Sequence, residues 1–103
     1  MESTAIPYSL TIRIAFDPAK DARNREKHGV SLAFGAEVLA DPDRLNVLDV
    51  RAAQVEERFV AYGAVGKRVW VCVFTLRDEV YRVISVRKAN GREKARVSPL
   101  LEI

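Results

Sequence analysis

From Leu10 to Phe16 apolar residues fall on every second position, at 10, 12, 14 and 16, which predicts a strand with one buried face. Asp17-Pro18 follows, an N-cap residue ahead of a proline whose fixed φ suits a first helical turn. A helix is predicted from Pro18 to Lys27 or His28, with Gly29 beyond its end and Lys27 and His28 suited to the negative pole of its dipole. Ser31 opens a second helix carrying Leu32, Phe34, Ala36, Val38 and Leu39, which Asp41-Pro42-Asp43 ends because the residue before proline avoids helical angles. Leu45 to Leu48 reads as a short strand. Arg58 to Tyr62 reads as another, with a turn at Gly63 to Lys67. Val69 to Phe74 is apolar on both faces, the mark of a central strand. Arg77-Asp78-Glu79 turns the chain into Val80 to Val86, and a last helix from about Gly91 to Val97 stops before Pro99. Alternation along the last strand puts Tyr81, Val83, Ser85 and Arg87 on one face and Arg82, Ile84 and Val86 on the other.

The order β-α-α-β-β-β-β-α, with short turns between the later strands, predicts an α+β fold: a small antiparallel sheet packed with N-terminal helices and a C-terminal helix. With 103 residues, 49% of them hydrophobic and 30% charged, the chain suits one domain with its own core. No repeat, low-complexity tract or linker divides it. The chain therefore reads as one compact domain. Glu2 and Arg13 argue against a secretory signal in the first stretch, and no apolar run approaches the roughly 18 residues needed to cross a bilayer. The expectation is a cytoplasmic protein without a membrane segment.

Charge sharpens this picture. The formal net charge is only +3, but the first helix carries Lys20, Arg23, Arg25 and Lys27. Residues 80–97 hold Arg82, Arg87, Lys88, Arg92, Lys94 and Arg96 against Glu93, while 37–57 is mostly acidic. A basic side of this kind suits a polyanion, and it equally describes solvated helix faces. One cysteine, Cys72 in an apolar run, allows no internal disulfide, and with a single histidine, His28, no zinc site is expected. No glycine loop for phosphate is present and no cofactor is expected. What remains is His28, Glu56 or Glu57, Arg58, Arg87, Lys88, Glu93 and Arg96. Cleaving RNA takes a base for the 2′-hydroxyl, an acid for the leaving 5′-oxygen and cations for the phosphorane. A histidine can be base or acid near neutrality, and arginines fork onto phosphate oxygens. The same residues also fit an ordinary charged surface.

The motifs Phe16-Asp17-Pro18-Ala19-Lys20, Asn24, Lys27-His28-Gly29-Val30-Ser31, Asp41-Pro42, Glu57-Arg58-Phe59 and Ile84-Ser85-Val86-Arg87-Lys88-Ala89 with Glu93 come in an order and spacing that resembles the BrnT-type toxins. The resemblance covers about residues 13–97; residues 1–9 fall outside it and read as an N-terminal extension to a single domain of residues 10–103. It implies a RelE-like fold and a metal-independent endoribonuclease, the toxin of a type II toxin–antitoxin pair. It also implies growth arrest by RNA cleavage, and neutralisation by a ribbon-helix-helix antitoxin of the BrnA kind, the complex binding operator DNA and forming an oligomer.

Carried onto this chain, the family's catalytic positions are His28, Glu57, Arg58 and Arg87, with His28 and Glu57 as acid and base in either order. Lys27, Lys88, Arg92 and Arg96 would bind RNA and Glu93 would orient an arginine. Two departures stand out. Val86 replaces a common alanine, and Val97 replaces the aromatic residue usual four positions after Glu93. That aromatic would stack on a base or pack the last helix, with Tyr62 or Tyr81 as the candidates to replace it. A non-cleaving homologue that binds RNA or antitoxin is the alternative Val97 raises; a pure interaction protein is the other.

Overall fold

The computed structural model describes residues 12–49 and 56–101; the expected extension, residues 1–9, lies outside them. The elements follow the predicted order. Strand β1 (Ile14–Ala15) leads to helix α1 (Pro18–His28), a 3-10 turn (Leu32–Phe34) and helix α2 (Gly35–Leu39). Strands β2 (Leu45–Leu48), β3 (Phe59–Val65), β4 (Arg68–Arg77) and β5 (Val80–Lys88) come next, and helix α3 (Gly91–Leu101) closes the domain. The sheet order is β1-β5-β4-β3-β2, with β4 at the centre as its two-sided apolarity requires.

The sheet is mixed rather than purely antiparallel. β2 to β5 pair antiparallel, but β1 pairs parallel with β5, Ile14 opposite Tyr81 and Ala15 opposite Arg82. Short turns force antiparallel pairing only between consecutive strands, and β1 is separated from β5 by most of the chain. β1 is also shorter than its alternation suggests, because Asp17-Pro18 starts α1 at once. Ile12, Ile14 and Phe16 nevertheless pack on the core, as the alternation requires.

β3 runs through the turn expected at Gly63, and the chain reverses at Gly66-Lys67, where Gly66 has φ +65°. Gly63 matters for a different reason. A Cβ there would lie 2.5 Å from the Val38 carbonyl oxygen, so its bare backbone lets α2 press on the sheet. Leu32, Val38 and Leu39 form a core on that face with Ala61, Cys72, Phe74, Val83 and Val86. The opposite face carries a smaller core of Val69, Val97 and Leu101 under α3. α3 continues through Pro99 to Leu101 instead of stopping before it. Proline keeps helical φ and forfeits one hydrogen bond, and the burial of Leu101 beside Val97 and Val69 offsets that loss.

The faces of β5 also differ from simple alternation. Val73 pairs with Ser85 and Phe74 with Val83, which leaves Ile84 as an extra residue in a β-bulge. The bulge shifts the phase by one, so Val83 and Val86 both enter the main core and Arg87 is turned to the α3 side.

Candidate active site

α1 is fixed along the edge of β5 by two polar residues of its inner face. β1 covers β5 only at Tyr81 and Arg82, so the backbone of Val86 has no strand neighbour on that side. The side-chain amide of Asn24 takes the strand's place: its Oδ1 accepts from Val86 N–H at 3.2 Å and its Nδ2 donates to Val86 C=O at 2.8 Å and to Val30 C=O at 2.9 Å. One turn earlier, Asp21 Oδ1 accepts from Leu32 N–H at 2.7 Å and from the Ser31 hydroxyl at 2.8 Å. These bonds hold the Asp21 carboxyl below its usual pKa and tie the start of the 3-10 turn to α1.

Between α1 and β5 runs an open cleft of about 330 Å³, lined by Lys20, Arg23, Asn24, Lys27, His28, Ile84 and Ser85. His28 stands at its end, in the last turn of α1, where Gly29 at φ +75° ends the helix and donates to Arg25 C=O at 2.8 Å. Partial burial lowers the imidazole pKa, and the charges of Lys27 and Arg87 lower it further. A neutral imidazole surrounded by cations is suited to accept a proton beside an anion.

Arg87 shares its rung of the sheet with Val71 and Tyr62, and is braced from α3. Both its terminal nitrogens donate to Glu93, at 2.8 Å each, a bidentate pair. Glu93 itself belongs to a capping box: Asn90 Oδ1 accepts from Glu93 N–H at 2.8 Å and Glu93 Oε1 from Asn90 N–H at 2.9 Å. The guanidinium therefore holds the Glu93 carboxyl down to about 2, and the helix start fixes where the guanidinium points. Arg96 lies over the Tyr62 ring, 5.8 Å from its centre. Lys88 and Arg92 are exposed close by.

The structure thus brings together Lys27, His28, Arg87, Glu93 and the nearby cations, and leaves Glu57 and Arg58 apart from them. Both precede β3, whose first residue Phe59 pairs through Phe74 with Val83, whereas Arg87 lies on the Tyr62 rung. At about 3.3 Å per residue and 4.8 Å between strands, Arg58 is separated from Arg87 by roughly 13 Å along the sheet and 10 Å across it. Adjacent Glu56 is bound to Arg77, at the β4–β5 end. Cys72 is part of the core, where burial pushes its thiol up to about 12. No group of three His, Cys, Asp or Glu side chains able to hold a metal forms among the described residues. Lys20 and Arg23 stand out in the sequence as basic residues of α1, but their place in the cleft was legible only from the helical spacing of 20, 23, 24 and 27. Ser85 was visible only as a member of the Ile84 to Ala89 motif, because the bulge that places it in the cleft is a tertiary feature.

A family model described as "Ribonuclease toxin, BrnT, of type II toxin-antitoxin system" matches residues 16–93, about three-quarters of the chain. The chain belongs to the BrnT family. A comparison with curated proteins found no match. As a BrnT protein the chain is a ribonuclease toxin, with RNA as its target and an antitoxin as its partner. The matched span takes in α1, strands β2 to β5 and the capping box that braces Arg87, and so contains Lys27, His28, Arg87 and Glu93. Val97, where the resemblance implies an aromatic residue, is 2% exposed and packs against Val69 and Leu101. In this BrnT chain the position holds α3 on the sheet, and its side chain does not face the cleft. No helix is long and apolar enough to cross a membrane among the described residues.

Proposed function

We propose that this toxin is a metal-independent endoribonuclease in which His28 acts as base and Arg87 as phosphate clamp. The observation that supports it most is a guanidinium fixed by Glu93 close enough to His28 for its charge to disfavour the imidazolium. Neutral His28 takes the proton of the 2′-hydroxyl, and the oxygen attacks the adjacent phosphorus. The bond to the 5′-oxygen breaks, leaving a 2′,3′-cyclic phosphate and a 5′-hydroxyl that takes its proton from water. Arg87 faces the charge that builds on the phosphorane, with Lys27 adding to the field and Lys88, Arg92 and Arg96 attracting RNA. Glu93 acts through Arg87. Glu57 and Arg58, about four residues along the sheet from the Arg87 rung, are given no part in this step by the proposal.

The same proposal takes the scaffold as RelE-like and the site of action as the cytoplasm. The antitoxin would be a ribbon-helix-helix protein of the BrnA kind, and the complex an operator-binding oligomer. The non-cleaving alternative rests on Val97; the packing of that residue against Val69 and Leu101 favours a structural role for the position over base stacking. The test is induced expression of wild type, His28→Ala and Arg87→Ala, with growth and transcript integrity measured. Both variants should fold, be tolerated and leave RNA intact; if folded variants still arrest growth fully, the assignment is wrong.

A further inference from the structure

The cleft continues along α1 beyond the groups that the proposed chemistry uses. We propose that its outer part is a nucleotide subsite that holds the RNA strand beside the scissile phosphate, with Lys20 and Arg23 on phosphates and Ile84 and Ser85 beneath a base. The inference rests on the reading of His28 and Arg87 as the cleavage site. It assigns two residues to RNA binding that the motifs did not.

Three observations carry it. First, Lys20 and Arg23 have free charges: among the described residues neither pairs with a carboxylate, whereas Arg25 on the same helix is tied to Asp21 at 3.1 Å. Among the described residues no carboxylate lines the cleft. Second, Lys20, Arg23 and Lys27 recur with helical spacing on one face, and Lys20 to Lys27 covers about 10.5 Å of helix axis, a file of cations ending at His28. Third, the floor is open where a base would lie. β1 ends opposite Arg82, Asn24 occupies Val86, and bulged Ile84 between them has no register partner on β4. Ile84 and Ser85 thus offer an apolar surface and a hydroxyl under the cationic rim, a floor for a base beside cations that take its phosphates. An acidic peptide would use the cations but not this floor.

The full-length toxin and its Lys20→Ala/Arg23→Ala variant are titrated with an uncleavable 2′-O-methyl RNA oligonucleotide across a salt series. Both side chains are exposed, so the fold should survive, which a melting curve checks; Lys20→Gln/Arg23→Gln serves if it does not. The salt slope should fall by about 1.4 for the two lost phosphate contacts, shrinking the affinity ratio between 50 and 200 mM salt about sevenfold. On cleavable RNA, KM should rise with kcat little changed. An unchanged slope in a variant whose parent binds RNA overturns the subsite alone. Loss of antitoxin binding with RNA binding intact also overturns it, and makes the cleft a protein-docking surface. Wild-type protein that neither binds nor cuts RNA overturns the underlying reading as well.

Discussion

At His28 two influences point the same way: partial burial and the charges of Lys27 and Arg87 all disfavour the imidazolium. A base must be deprotonated to act, so cleavage should rise with pH through a midpoint below the ordinary histidine value of about 6.5. Lys27→Gln removes one of the opposing charges and should move that midpoint upward, a shift read directly from the pH–rate profile. A midpoint that stays put would show that Lys27 does not act on His28. His28→Ala should cost about 10²–10⁴-fold in cleavage rate. Glu93 presents the reverse case. Its carboxyl is held at about 2 against an ordinary 4.5, chiefly by Arg87. A depressed carboxyl contributes stability that is complete above its unfolded value and is lost as pH falls through the folded one. Glu93→Gln should therefore lower stability by about 1–2 kcal/mol at pH 7, since it breaks a charge-assisted pair at a helix cap. The difference from wild type should close between pH 4.5 and about 2 in urea unfolding.

α1 stays on the edge of β5 largely through Asn24, a 6% exposed amide that satisfies both backbone groups of Val86 and one of Val30. Asn24→Ala leaves those groups without partners and should cost about 2 kcal/mol in denaturant unfolding. Asn24→Asp should cost more, because a carboxylate would face the carbonyls of Val30 and Val86. Either change should also loosen His28 against Arg87 and reduce cleavage beyond what stability explains. Hydrophobic period and caps made the elements themselves legible: Asp17-Pro18 marked the start of α1 and Gly29 its end to within one residue, and the two-sided apolar run identified β4. Three features were not legible. The bulge at Ile84 is set by the joint demand of Val83 and Val86 for the core, and no local pattern marks it. The passage of α3 through Pro99 depends on where Leu101 packs. The parallel pairing of β1 depends on which edge stays open after four strands have formed.

Across the molecule, the site shows how sequence order and spatial order part company. His28 and Arg87, nearly sixty residues apart, come close enough for the Arg87 charge to act on the imidazole because α1 lies along β5, while Arg58, just ahead of β3, is set four residues further along the sheet by its register. The family resemblance pointed to both kinds of residue, and only the pairing of strands separated them. The same register collects Lys67 and Arg68 of the β3–β4 turn at the end of the sheet that holds Lys88 and the start of α3. At the other end Arg77 meets Glu56, and Asp78 and Glu79 form the β4–β5 turn, so the positive charge there is balanced. An antitoxin that blocks RNA by covering the basic end should carry acidic groups against it, and its association should be electrostatically steered. The association rate should fall steeply as salt rises, and Arg87→Ala or Lys27→Gln should lower it, with Glu79→Gln as a control that changes little. Stopped-flow mixing of toxin and antitoxin at several ionic strengths measures this. A rate indifferent to salt, in a complex that still prevents cleavage, would show that the antitoxin neutralises the toxin without masking its basic end.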